Sequence, residues 1–178
     1  MRGIWLLLLG LLLVLGGSWA ASRVQSADGT RVTDIRFAGD NGATLRALLY
    51  VPAGVDVAHK APAILAVHGY INTAEMQSAF AIEYARRGYV VLALDQAGHG
   101  YSSGPAFAGG FGGPAALRYL RSLPYVDTAN IGLEGHSMGG WTVLAAASAL
   151  PNGYRSMVLE GSSTGKPFAA DGTPGWPR

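Results

Sequence analysis

The chain predicts an α/β fold, a mostly parallel sheet with helices on both faces entered through an antiparallel N-terminal hairpin, and three observations carry that expectation. Short, largely apolar runs (Ala63–Val67, Tyr89–Leu94, Ser156–Glu160) alternate with helix patterns. That order calls for right-handed crossovers between buried parallel strands. Two segments of strand character, Val32–Phe37 and Thr44–Val51, flank Gly39-Asp40-Asn41-Gly42 and read as an opening hairpin. Finally, Ile131–Trp141 (IGLEGHSMGGW) is a short apolar run that stops at a glycine, presents a serine two residues later and passes into a helix-forming stretch.

At the N-terminus, Arg2 precedes the leucine-rich run Ile4–Leu15, and Ser18-Trp19-Ala20 places small residues at minus three and minus one of a cleavage after Ala20. The uncharged stretch Gly3–Ser22 is also long enough to span a bilayer. Residues 1–22 are therefore expected to be a secretory signal peptide or an N-terminal membrane anchor. Either role places the rest outside the cytoplasm, secreted or tethered to the membrane. Residues 23–31 are polar and read as a tether, and the folded domain is expected over 32–163.

Within that domain Asn72-Thr73-Ala74-Glu75 has the form of a capping box, and Met76, Phe80 and Tyr84 share one helical face until Arg86-Arg87-Gly88 closes the helix. Asp95–Gly100 is a turn-rich loop after the Tyr89–Leu94 strand. Pro114 suits the first turn of a helix carrying Leu117, Leu120 and Leu123, stopped by Pro124. Thr142–Leu150 is helix-forming, and residues 164–178 are a Gly/Pro-rich end. In parallel sheets reacting groups gather at the carboxyl ends of strands. His68-Gly69-Tyr70, Asp95–Gly100, Ser137 and Glu160 all fall at such ends.

A serine in a sharp strand-to-helix turn is held in a strained conformation with its hydroxyl above the sheet, and glycines two residues to either side leave room for strand and helix. With 26 glycines in 178 residues, a chance Gly-x-Ser-x-Gly match has a probability of roughly one in four, and three occur. The match at Ser102 runs into Pro105 and a glycine-rich stretch, and Gly161-Ser162-Ser163-Thr164-Gly165 runs into Lys166-Pro167. Only Ser137 has a strand before it and a helix after it, so Gly135, His136 and Gly139 form the elbow around it.

Composition narrows the function classes. The chain is 49% hydrophobic and 13% charged, the profile of a packed domain. A net charge of +2 with scattered basic residues gives no nucleic-acid footprint. Having no cysteine, the chain has no disulfide, thiolate metal site or cysteine nucleophile. Gly109-Gly110-Phe111-Gly112-Gly113 lacks the Lys-Ser/Thr of a phosphate loop, so no cofactor and no metal is expected.

With His68-Gly69-Tyr70, Asp95-x-x-Gly98-His99-Gly100 and Gly135-His136-Ser137-Met138-Gly139-Gly140 in this order, the chain resembles the α/β-hydrolase superfamily over about Val32 to Ser163. The resemblance is strongest to its dienelactone-hydrolase-like and serine-peptidase-like branches. It implies a Ser137 nucleophile attacking an acyl carbon, with an oxyanion hole from the backbone amides of Tyr70 and Met138. It also implies the order serine, acid, histidine. No histidine follows His136: His59 lies in an early loop, His68 and His99 belong to turn motifs, and the His136 side chain is expected to point away from the nucleophile. Glu160 is the candidate triad acid, or alternatively a hydrogen-bond acceptor for loop amides. Asp95 is expected to tie its own turn by an Asx-type bond, and Glu134, odd in a buried strand, calls for a partner such as an arginine.

The missing base implies an N-terminal portion of the fold, stopping after about the sixth strand, lacking its late strands and inactive as it stands. A sheet ending at Ser156–Glu160 would expose an apolar edge. The function expected is a serine hydrolase of ester, thioester or peptide-like acyl bonds, acting on a small molecule or peptide. The alternative is a non-catalytic binding domain of the same fold, and a cofactor-free haloperoxidase or acyltransferase would share Ser137.

Overall fold

The structure, a computed structural model, describes residues 2–25 and 29–162. Ser163 and the Gly/Pro-rich end lie outside the described residues. Helix α1 (Arg2–Gln25) is apolar on all sides, and its 21-residue segment Gly3–Arg23 is wholly exposed. At 1.5 Å per residue that segment is about 31 Å long, the thickness of a bilayer's hydrocarbon core.

Six strands form one sheet in the order β1-β2-β4-β3-β5-β6. The predicted hairpin is present: β1 (Arg31–Ala38) and β2 (Thr44–Val51) pair antiparallel, from Arg31 opposite Val51 to Ala38 opposite Thr44. Between them Asn41 and Gly42 take positive φ values of 55° and 77°, where Asn and Gly cost least. Strand β2 then pairs antiparallel with β4 (Val90–Leu94), and β4, β3 (Ala61–Val67), β5 (Val126–His136) and β6 (Ser156–Glu160) run parallel. The central strands β3 and β4 are apolar throughout because both faces are covered.

Helices α3 (Gly113–Ser122) and α4 (Met138–Ala149) cover one face over a core that includes Leu45, Leu65, Leu92, Leu117, Leu120, Leu133 and Val143. Pro114 stands in the first turn of α3, as predicted. The other face carries α2 (Ser78–Arg86) over Tyr50, Ile64, Ala66, Val91 and Ala93. Among the described residues β6 pairs on one side only, and Val158 is 53% exposed on it.

Two expectations for the α2 region are corrected. The capping box is absent: a 3-10 turn (Ala74–Gln77) precedes the helix, and Glu75 turns to the Thr73 hydroxyl and to Arg46 rather than back to a cap amide. The buried stripe also lies one residue round the helix, about 100° from the Met76, Phe80 and Tyr84 face. Ala74, Gln77, Ala81 and Ala85 face the sheet, whereas Met76 and Phe80 are exposed and Tyr84 is half-buried. Alanines let the helix backbone approach the strands closely, so small residues rather than large ones mark the inward stripe. Helix α4 begins at Met138, ahead of the helix-forming stretch Thr142–Leu150, and takes in Gly139 and Gly140, where an added Cβ would collide with neighbouring atoms.

Candidate active site

Strand β5 ends at His136, α4 begins at Met138, and Ser137 alone makes the turn, at φ 53° and ψ −116°. Positive φ at a non-glycine residue costs of order 1–3 kcal/mol and persists only where the surroundings impose it. Its amide donates to the Glu160 carbonyl at 2.8 Å, and its carbonyl accepts from the Gly140 amide at 3.0 Å. A Cβ at Gly135 would run into the Gly139 carbonyl and lie 2.7 Å from the Gly140 nitrogen. One at Gly139 would collide with the Val67 carbonyl and lie 2.6 Å from the His68 oxygen. Both glycines are therefore steric requirements of the turn. The Ser137 hydroxyl makes no cap bond to α4, although the residue occupies the N-cap position.

The turn after β3 closes against this elbow. A Cβ at Gly69 would lie 3.4 Å from the Ser137 Cβ and 3.0 Å from His136 Nδ1, so the chain passes beside the serine just before Tyr70. Neither the Tyr70 nor the Met138 amide donates a hydrogen bond to a described residue. Met138 is the first residue of α4, where backbone N–H groups have no partner inside the helix. Ile71 follows at φ 54°, an expensive conformation for a β-branched residue. The Tyr70 ring stacks with Phe107 and meets His99 edge-on, at centroid distances of 6.3 and 5.9 Å.

Beneath the turn lies a buried polar lock that the sequence reading missed. His68 donates from Nδ1 to the Gly69 carbonyl at 2.6 Å and accepts at Nε2 from the Gln96 amide at 3.2 Å. The Gln96 side chain donates to the His68 carbonyl at 2.7 Å and accepts from the Thr142 hydroxyl. Burial holds the His68 pKa below the usual imidazole range, which keeps the ring neutral in this tautomer. The lock joins the ends of β3 and β4 to α4. Its only sequence signal is a glutamine directly after a buried strand and a threonine inside an otherwise apolar helix.

Asp95 is fully buried and does hold its loop, but not through an Asx-type bond to its own turn. Its carboxylate accepts from the Tyr101 amide at 2.9 Å and from the distant Ala74 amide at 2.6 Å, and it pairs with Arg46 at 3.2 Å. Arg46, 4% exposed, also reaches Asp34 at 2.9 Å and Glu75 at 2.8 Å and lies over the Tyr101 ring. Burial works against the guanidinium charge, yet its bonds to Asp34 and Glu75 and the Asp95 charge outweigh that and hold its pKa above the usual range. The Ser102 hydroxyl donates to the Asp95 carbonyl and accepts from the Arg46 amide, so this serine is a loop tie, as expected.

Among the described residues no histidine meets the Ser137 hydroxyl. His59 pairs with Asp56 at 3.1 Å in an exposed loop, both His68 nitrogens are engaged, His99 bonds the Ala97 carbonyl, and His136 is exposed at the rim. Glu160 is half-buried at the end of β6, beside the elbow through its carbonyl. Glu134 is 2% exposed, and neither carboxyl oxygen has a partner among the described residues, so the expected arginine is not among them. Burial, reinforced by the Glu160 charge, pushes its pKa up to about 7. No three His, Cys, Asp or Glu side chains converge among the described residues as a metal site would require.

Residues 62–177 match the family model described as alpha/beta hydrolase fold. Solved structures share the architecture. The alpha/beta hydrolase GrgF from Penicillium sp. sh18 is 22% identical with a TM-score of 0.65, over 74% of this chain and 46% of that one. Acetyl xylan esterase 1 from Thermoanaerobacterium sp. is 23% identical with a TM-score of 0.61, over 74% and 49%. A bacterial heroin esterase is 23% identical with a TM-score of 0.62, over 84% and 50%. The chain thus spans about half the length of these structures, and no curated protein sequence matches it. With a family match over most of its length and a sheet in the same arrangement, the chain belongs to the alpha/beta hydrolase fold family.

Proposed function

We propose that this protein is a serine hydrolase of ester, thioester or peptide-like acyl bonds, working through an acyl-enzyme on Ser137. The observation that carries the reading is the backbone of Ser137 itself, at φ 53° between β5 and α4, with a hydroxyl that no described residue engages. Attack by that hydroxyl on an acyl carbon forms the C–O bond and moves the carbonyl electron pair onto oxygen. The Tyr70 and Met138 amides are the donors for that oxyanion, each worth about 3–4 kcal/mol of barrier by comparison with a single such donor. Collapse of the adduct expels the alcohol, thiol or amine, and water then releases the acid.

A hydroxyl is a weak nucleophile until a base takes its proton, and none of the four histidines is in that position among the described residues. The reading therefore requires a base from outside them. Glu160 is the proposed acid of the triad, since its strand end adjoins the elbow. For the N-terminal segment we propose a signal peptide or membrane anchor over residues 1–22 and a tether over 23–31. This reading rests on the bilayer length and full exposure of α1 and puts the domain from residue 32 outside the cytoplasm. Esters are the first substrates to test, given the esterases of like fold.

A fluorophosphonate probe on the full-length protein tests the core of this reading. Labelling at Ser137 that vanishes in Ser137→Ala is expected. A folded sample that stays unlabelled would return the domain to a binding role.

A further inference from the structure

Among the described residues, the turn that carries the Tyr70 amide is tied at its two ends and nowhere between. None of the amides from Gly69 to Thr73 donates a hydrogen bond to a described residue, and Ile71 in the middle sits at φ 54°. A strained backbone of this kind persists only where its surroundings impose it. Two consecutive residues at the end of β4 supply the constraint. Gln96 takes the near end: its amide donates to His68 Nε2 at 3.2 Å and its side chain to the His68 carbonyl at 2.7 Å. Asp95 takes the far end, where its Oδ1 accepts from the Ala74 amide at 2.6 Å.

The Asp95 carboxylate is itself fixed. Its Oδ2 accepts from the Tyr101 amide at 2.9 Å and from Arg46 at 3.2 Å, and a Cβ at Gly100 would run into the carboxyl group. Arg46 adds a second tie to the same end through Glu75, at 2.8 Å. The near end is pinned by contact as well, since the Gly69 backbone lies against Ser137 and His136. With that end held beside the serine, the freedom left to the turn is at Ala74. Release there lets Ile71 relax and re-aims the Tyr70 N–H.

We propose that Asp95 is a positioning residue for the oxyanion hole: by holding the Ala74 amide it keeps the turn strained and the Tyr70 amide aimed at the charge that develops beside Ser137. This rests on the hydrolase reading above, and it gives Asp95 a part in kcat although its partners are Ala74, Tyr101 and Arg46 and not Ser137. Asp95→Asn isolates the tie. The single amide oxygen is drawn to the Tyr101 N–H and the Arg46 cation, which leaves the side-chain NH2 facing the Ala74 N–H, donor against donor.

In the full-length protein, Asp95→Asn is expected to lower kcat on an activated ester by about 10- to 100-fold with KM within about twofold, since a misplacement near 1 Å can cost about 100-fold. A matched thionoester, whose developing charge falls on sulfur, gains less from amide donors. The ratio of oxoester to thionoester rates is therefore expected to fall with kcat. A protein that is merely destabilised loses both rates equally, and an unchanged ratio in folded Asp95→Asn would overturn the proposal. Amide hydrogen exchange of the unsubstituted protein covers the case in which this variant does not fold: protection of Ala74 well above that of Asn72 and Thr73 supports the clamp, and equal exchange overturns it. Ser137→Ala separates the two readings. Ester turnover that survives this change sinks the hydrolase assignment and the clamp with it, whereas Ser137-dependent turnover with an unchanged ratio in Asp95→Asn sinks the clamp alone.

Discussion

Two buried charged groups of this domain, Arg46 and Glu134, are almost equally hidden, at 4% and 2% exposure, and they are treated in opposite ways. Arg46 is surrounded by the carboxylates of Asp34, Glu75 and Asp95 and by the Tyr101 ring. Glu134 has no partner among the described residues. Burying a charge is costly unless it is paired and hydrogen-bonded, and otherwise the group gives up its charge. The first site keeps its charge locked and uses it to tie β1, β2, the turn before α2 and the loop after β4. The second retains a proton that pH can remove. A buried ion becomes structural or responsive according to whether its neighbours satisfy it.

The largest effect is expected from breaking the satisfied site. Arg46→Met would leave the fully buried Asp95 with two amide donors and no cation. Removing one partner of a buried pair costs about 3–5 kcal/mol, so urea unfolding should show a loss of that size. A loss below about 1 kcal/mol would mean that the two sites do not differ in kind. Next comes the converse change, with the opposite sign. Glu134→Leu should stabilise the domain by roughly 4 kcal/mol at pH 8, about 3 of it from the raised affinity, which makes the native protein's stability greatest below pH 4.5 and diminished above about 7. Near pH 4.5 the gain should shrink to about 1 kcal/mol, the cost of an unpaired neutral carboxyl. Thermal unfolding of both proteins across this range would measure it, and a gain independent of pH would contradict the unpartnered assignment.

How far each site was legible from residues alone follows from the same contrast. The elbow could be read because its requirements are local: Gly135, Ser137 and Gly139 are fixed by contacts within a few residues and with the end of β3. The hairpin and the parallel strands followed from period and turn chemistry over short windows. Arg46 could not be read as a hub, because its partners lie 12, 29 and 49 positions away and meet only through the sheet order. The His68–Gln96–Thr142 lock was hidden for the same reason. The inward stripe of α2 could not be read from the large apolar residues that share a face, because close helix-to-sheet approach favours Ala81 and Ala85. For Glu134 the oddity was visible, but the arginine inferred for it came from the rule that buried charges are paired. This strand departs from that rule by protonation.

The smallest effect should come from the outer edge of the Arg46 site. Glu75 binds Arg46 at 2.8 Å, and that hydrogen bond is the main reason its pKa falls to about 2, yet its side chain is half exposed. Water and salt screen such a pair, so Glu75→Gln should cost less than about 1 kcal/mol near neutral pH, far below the depressed affinity taken at face value. The sign is opposite to that of Glu134. Stability contributed by Glu75 is present above pH 4.5 and is lost as pH falls toward 2. Denaturant titrations at low and high salt separate the two partners of the same arginine. The Glu75→Gln loss should diminish with salt, while the Arg46→Met loss, governed by the buried Asp95, should hardly change. If both losses faded equally with salt, Arg46 would be a surface cluster, and its contrast with Glu134 would reduce to one of exposure.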